Sequence, residues 1–335
     1  MANVSISGSN MRVKLIRLFV LGVLLLFPAT RDLYLIQELT QFIIYGIFGI
    51  SLSLLWGYAG ILCFGHAAFF GIGAYIMALV TKGMIPGLTG VLTASWIGIL
   101  CAIIGVAIFA MIVGYFLFYG RLSGPYLGVV TLAIAIVAER VATKWYYIGG
   151  FNGLIDIPPL SIGGLVITDT YALFYLILAI AFLVYLFCDR LVRSPFGIIL
   201  AAVRDNENRA EFFGYNIAQY KIAVFTIGAA VAGLAGALFA SVTEFVSPTI
   251  VGFVLSTEVL IWVALGGKEV LLAAFLGAIL VRILEAYLSD MLAYYWILIL
   301  GAFFVVCVMF FPKGIFGSLL AEKKTFRRST KAAAS

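Results

Sequence analysis

Charge is scarce in this chain. Only 11% of its 335 residues are Asp, Glu, Lys or Arg, whereas a soluble domain carries roughly 25%. Histidine occurs once, at His66, so a catalytic histidine pair or a His-rich metal site is excluded. The four cysteines, Cys63, Cys101, Cys188 and Cys307, are far apart and lie in or at the ends of apolar runs. They show no CxxC or Cys/His ligand spacing, which argues against structural zinc and a disulfide framework. No Gly-x-x-x-x-Gly-Lys-Ser/Thr sequence is present, so this chain cannot cradle ATP phosphates by that route. Period-two alternation is also missing, which argues against an outer-membrane barrel.

What fills the sequence instead is apolar surface. Hydrophobic residues make up 64% of the chain, and the mean hydropathy is +1.17. One globular core cannot hide that much, so lipid must be the main solvent. This excludes a soluble enzyme and a nucleic-acid binder. A spanning helix needs about 20 mostly apolar residues at about 1.5 Å rise each. Candidate spans read 15–29, 36–56, 61–81, 91–119, 125–143, 170–188, 219–240, 253–265, 269–288 and 292–311. The 253–265 span is short and re-entrant geometry is an alternative there, so the expected fold is an all-α transmembrane bundle of about 8–10 spans. Pro86-Gly87, Gly124-Pro125, Pro158-Pro159, Ser247-Pro248 and Pro312 punctuate the links.

Basic residues give an orientation. With ten crossings and the N-terminus inside, 16 of the 21 Lys and Arg residues fall on the inner side, among them Arg121, Arg190, Arg204, Lys221 and Lys268. Arg31, Lys82, Arg140 and Lys144 fall outside, and Arg282 lies within a span. The positive-inside rule then puts both termini in the cytoplasm. The stretch after Arg17 lacks a small-x-small cleavage site and reads as a first membrane helix. The expected organisation is a single transmembrane domain over 1–317 and a basic, flexible tail at 318–335.

The longest polar interruption, 190–219, falls on the inner side. Pro195 suits a helix start and Gly214 a helix stop, with a highly charged helix between them. Its residues include Arg204, Asp205, Glu207, Arg209, Ala210, Phe212, Phe213 and Gly214. Such a helix is suited to docking a soluble partner, and a solvated amphipathic loop is the plainer alternative.

The stretch Ser194-Pro195-Phe196-Gly197 through Arg204-Asp205-Asn206-Glu207 to Phe213-Gly214-Tyr215-Asn216 resembles the cytoplasmic loop of permease subunits in ABC importers for branched-chain amino acids. Further matches are Trp56-Gly57-Tyr58-Ala59-Gly60 with Phe64-Gly65-His66-Ala67-Ala68, then Ala232-Gly233-Leu234-Ala235-Gly236, and Phe311-Pro312-Lys313-Gly314. They run in the family's order from about residue 41 to 317. Within the family, Gly149-Gly150-Phe151-Asn152-Gly153-Leu154, Arg204 to Arg209, and Glu258 to Gly267 lean toward the urea-uptake branch. One departure is Lys268-Glu269-Val270 after Gly266-Gly267, where more glycine is usual, with Ala273 in place of a common glycine.

The resemblance implies a subunit of the bacterial inner membrane that binds no cofactor and catalyses nothing itself. ATP and Mg would act on separate ATPase subunits docked on the 204–214 region, a related second permease would complete the pore, and a periplasmic binding protein would deliver substrate. On this reading the transported solute is urea. A branched-chain amino acid importer is the first alternative. A stand-alone channel for urea or another small neutral solute, or an ion-coupled carrier, is the next.

Intramembrane polarity nominates Tyr58, His66, Glu258 and Trp262 for the substrate pathway. A charge in hydrocarbon costs about 2.5–3.5 kcal/mol on insertion scales, so Glu258 needs water or a partner, and no local cation offers itself. A lone membrane histidine is as readily a hydrogen-bonded structural residue. Arg282 and Glu285, three apart, share a helix face and can pair. Small residues recur every fourth position in Ala229/Gly233/Ala237, Ala232/Gly236/Ala240, Ala67/Gly71 and Ala273/Gly277, as closely packed helices require.

Overall fold

The computed structural model describes residues 11–30, 32–85, 93–162, 165–292, 301 and 314–320. The helices are α1 (Met11–Leu26), α2 (Leu33–Ser53), α3 (His66–Thr81), α4 (Ser95–Tyr119), α5 (Gly124–Lys144) and α6 (Thr170–Arg193). They continue with α7 (Pro195–Asp205), α8 (Glu207–Phe212), α9 (Ile217–Thr243), α10 (Phe253–Gly266), α11 (Leu271–Leu292) and α12 (Ile315–Leu320). Six are long and apolar enough to cross a membrane: α2 with its extension to Tyr58, α4, α5, α6, α9 and α11. The chain is thus an all-α polytopic bundle, with a two-residue hairpin pairing Ser161–Ile162 with Leu165–Val166 as its one sheet among the described residues. The expected span at 292–311 and the tail beyond Leu320 lie almost wholly outside the described residues, as do Pro86, Gly87 and Pro312.

Helix α2 is the axis of the bundle. In its extended form 89% of its most apolar stretch is buried, against 28% for α4 and for α5, so those two turn most of their surface outward. Around α2 pack α6, α9, α10 and α11, and α9 also lies against α3 and α4. The small-residue stripes explain the closeness. A Cβ at Gly236 would sit 1.8 Å from the Phe70 carbonyl oxygen, and one at Gly73 would sit 2.3 Å from that of Gly233. Gly277 faces Gly266 in the same way, so these stripes pack within the chain. Van der Waals packing is the main force available to helices in lipid, and bare backbone makes it possible.

Like the 16-residue α1, two helices inside the bundle are too short to cross alone. At about 1.5 Å per residue, the 16 residues of α3 and 14 of α10 reach about 24 and 21 Å, short of a hydrocarbon core of about 30 Å. Non-helical chain makes up the rest. The 61–81 span therefore starts as irregular backbone and becomes helical only at His66. Residues 244–252 lead into α10, with Val246 bridged to Leu154. Irregular backbone within a membrane protein is tolerated only where protein satisfies its polar groups, and here it does. Phe64 N donates to Thr131 Oγ1 at 3.2 Å, and Ile61 N to the Leu55 carbonyl at 3.0 Å.

Candidate functional site

The two interrupted segments meet. Ala67 N, in the first turn of α3, donates to Ser256 Oγ of α10 at 3.2 Å. Beside it His66 is fully buried, with Nε2 2.7 Å from Ser51 Oγ of α2. The Ser51 hydroxyl gives its single proton to the Phe48 carbonyl at 2.6 Å. It can then only accept from the ring, so the Nε2 tautomer is the one that fits. His66 Nδ1 is left as a buried lone pair without a partner.

A second polar knot joins α2, α10 and α11. Arg282 Nη1 donates to Glu285 Oε2 at 2.7 Å and lies 3.9 Å from Glu258 Oε2. Its guanidinium sits 4.7 Å from the centre of the Tyr45 ring, and 5.8 Å from that of Trp262. The cation that Glu258 lacked in its sequence neighbourhood comes from the next helix. One arginine between two carboxylates gives a local excess of negative charge if both are ionised. All three side chains keep 14–24% of their surface exposed.

An aromatic chain connects the knots. Ring centroids run from His66 to Phe48 at 5.3 Å, Phe48 to Phe70 at 4.8 Å, Phe70 to Tyr45 at 6.1 Å and Tyr45 to Trp262 at 5.1 Å. Of the four pathway candidates, His66, Glu258 and Trp262 therefore belong to one continuous assembly. Trp262 and His66 are packed inside it, and Glu258 is at its edge. Tyr58 stands apart, half-buried at the end of the widened turn Leu54–Tyr58 that extends α2.

The polar loop folds as two helices rather than one. Asn206 breaks it: its backbone is extended, and its side chain caps α8 by accepting from Arg209 N at 2.9 Å. Asparagine is a favoured N-cap because it satisfies an orphan amide of the first turn. Gly214, at φ +85°, ends the segment as expected. Ala210 turns inward, while Phe212 and Phe213 are 91% and 76% exposed. Glu207 is held by Lys221 of α9 at 2.7 Å, and Glu211 faces Arg121 at 3.7 Å. Asp205 and Arg209 are exposed. Arg204 points the other way, into the bundle, where Nη1 donates to the Gly57 carbonyl at 2.5 Å.

Tyr45, Phe48, Ser51 and Ser256 escaped the reading of the sequence. Serine and tyrosine in apolar helices carry no local signal, and only the fold brings them to His66 and Arg282. Glu139, half-buried on α5, was likewise not assigned; a Cβ on Gly252, the N-cap of α10, would lie 2.1 Å from its Oε2. A carboxylate there faces the positive end of the helix.

A bundle with two short, interrupted helices, charged groups among its spans and one exposed helical loop is a polytopic membrane protein with a polar interior. Among the described residues no group of three His, Cys, Asp or Glu could hold a metal. The family model described as "Branched-chain amino acid transport system / permease component" matches residues 34–309, and the chain belongs to that family. It is similar to the high-affinity branched-chain amino acid transport system permease protein LivM of Escherichia coli, with 32% identity over 93% of this chain and 76% of that protein. The probable branched-chain amino acid transport permease protein LivM of Methanocaldococcus jannaschii is 34% identical over 61% of this chain and 66% of its own length. LivH of Salmonella typhimurium, also a high-affinity branched-chain amino acid permease protein, is 24% identical over 83% of this chain and 93% of its own. No solved structure matches.

The chain is a multi-pass inner-membrane permease component, not an enzyme. Permeases of this family bind no cofactor: ATP and Mg act on separate ATPase subunits, and paired permeases work with a periplasmic binding protein. The expected lean toward urea is overturned by these matches. The features that suggested it have structural roles. Gly149 and Gly153 have positive φ in the turn beside Val246, and Gly266 abuts α11 where a Cβ would lie 2.3 Å from the Ala273 carbonyl oxygen.

Proposed function

We propose that this chain is a permease subunit of a binding-protein-dependent ABC importer that moves branched-chain amino acids by ATP-driven alternating access. The observation that carries the reading is the match to the family model over most of the chain, together with LivM relatives at 30% identity or above. The α7–α8 end faces the cytoplasm, a reading supported by the basic residues that gather there. Phe212 and Phe213 at the end of α8, flanked by Asp205, Glu207, Arg209 and Gly214, form an exposed apolar anchor suited to an ATPase subunit. Tyr58 and Glu258 border the substrate route, while His66 and Trp262 hold the wall behind it.

The test is uptake of labelled leucine, isoleucine and valine into proteoliposomes containing the assembled complex, with and without ATP and the loaded binding protein. Uptake that requires both supports the proposal. Equal passive flux through this chain alone would replace it with a channel.

A further inference from the structure

At one end of the bundle three segments converge on Gly57. The first is the widened turn Leu54–Tyr58, where α2 loosens before the chain turns back toward α3. The second is the turn between α10 and α11. Ser53 Oγ donates to the Lys268 carbonyl at 2.8 Å, Lys268 Nζ lies 4.9 Å from the centre of the Trp56 ring, and a Cβ on Gly57 would sit 1.8 Å from the Lys268 carbonyl oxygen. The third is the last turn of α7, which supplies Arg204. Its Nη1 donates to Gly57 O, and its Cγ packs where a Cβ on Gly60 would come to 2.9 Å. Gly60 itself has φ +71°.

The chemistry of the contact is specific. A helix that ends in a widened turn leaves carbonyls without an intrahelical partner, and they carry the negative end of its dipole. A guanidinium satisfies such a group with charge and hydrogen bond together. Arg204 is also held on its own side, with Nε and Nη2 each 3.3 Å from Asp205 Oδ1. Asp205 ends α7, and the next residue, Asn206, is the break that starts α8. One side chain therefore ties the exposed helix pair to the start of the 59–65 segment and, through Gly57 and Ser53, to the α10–α11 turn. Those are the break before α3, which leads to His66, and the turn that closes α10, the helix that carries Glu258.

We infer that Arg204 is the positioning residue that passes movement of α7–α8 to the α2–α3 break, through its hydrogen bond to the Gly57 carbonyl. The inference rests on the proposal that α8 carries the ATPase. Movement of α7 then shifts Gly57 and the α10–α11 turn as a unit, and with them the two short helices. Arg204 does not itself meet the ATPase, because its guanidinium is turned inward.

The experiment compares wild-type, Arg204→Gln and Arg204→Lys complexes, purified with their ATPase subunits and reconstituted. In Arg204→Gln the subunits stay together and hydrolyse ATP, but amino acid taken up per ATP falls about tenfold, within the range of ordinary site-to-site coupling. Arg204→Lys, whose ammonium can still reach a carbonyl, recovers part of the loss. Hydrogen exchange gives the second readout. In wild type, nucleotide alters exchange in both 195–214 and 57–65; in Arg204→Gln only the first segment responds. Unchanged uptake per ATP, or a nucleotide response that still reaches 57–65, overturns the inference. So does loss of the ATPase from Arg204→Gln alone, which would make Arg204 part of the docking surface. Failure of the wild-type chain to hold any ATPase would instead remove the parent proposal, and this inference with it.

Discussion

Ser51 Oγ and His66 Nε2 lie 2.7 Å apart, both residues fully buried, and the serine's own proton is already committed to the Phe48 carbonyl. The pair thus has a fixed direction, with the ring donating. Ser51→Ala leaves a buried N–H unpaired and should cost about 1–3 kcal/mol. Ser51→Ala with His66→Phe removes donor and acceptor together and keeps a ring against Phe48, so most of that stability should return. Thermal unfolding of the detergent-solubilised protein reads the cycle. If the double variant is no more stable than Ser51→Ala, the pair is not what the serine contributes.

Arg282 should tolerate replacement far less well than Glu258. Arg282→Gln strands two carboxylates among apolar helices, and breaking a buried pair from one side costs about 3–5 kcal/mol. Glu258→Gln leaves the 2.7 Å Arg282–Glu285 bond intact. We expect Arg282→Gln to lower the yield of folded protein sharply and Glu258→Gln to assemble at wild-type level with uptake reduced about tenfold, a loss of roughly 1.4 kcal/mol. Wild-type uptake by Glu258→Gln would take Glu258 out of the substrate route.

Glycines that look alike in the sequence should separate cleanly. Gly236→Ala and Gly73→Ala force a methyl into backbone at 1.8 and 2.3 Å, so α3 and α9 must move apart. Overpacking of this kind costs about 1–3 kcal/mol or more. Gly22, on α1, has nothing within 4 Å of the same position, and Gly22→Ala should leave stability unchanged or slightly improved. The measurement is monodisperse yield and melting temperature for the three variants side by side.

Phe212 is 91% exposed, so Phe212→Asp should leave the permease folded and inserted while weakening ATPase retention on co-purification. Full retention would move the docking surface elsewhere. In a background free of the four native cysteines, Phe212→Cys should react with a membrane-impermeant maleimide in inside-out vesicles and not in intact cells. The opposite pattern would invert the proposed orientation.

Much of the architecture was legible in one dimension. Long apolar runs give α4, α6, α9 and α11 to within about five residues at either end, because a helix is the simplest way to satisfy backbone groups in lipid. The stripes around Gly233 and Gly236 announced close helix contacts. Pro195 and Gly214 bounded the polar loop correctly, but Asn206 was not read as a cap, so one helix stood for two. The Arg282–Glu285 pair was visible at a spacing of three; Glu258 was not seen to join it, because the contact is between helices. Short motifs shared across a transporter family pointed to the family but not to the solute, since glycines at 149, 153 and 266 answer to packing.

The amino-acid sequence alone determined that this protein lives in lipid, that it is helical, that it carries no Gly-x-x-x-x-Gly-Lys-Ser/Thr loop, and that one wet segment stands apart from the rest. Hydropathy, helix length and turn residues act over neighbouring positions, so they can be read there. Tertiary structure alone decided where α3 begins, which serine holds His66, which arginine answers Glu258, and that Arg204 reaches back 147 residues to the Gly57 carbonyl. Each of these is a hydrogen bond or ion pair between distant segments, and its partner is chosen by how the helices pack.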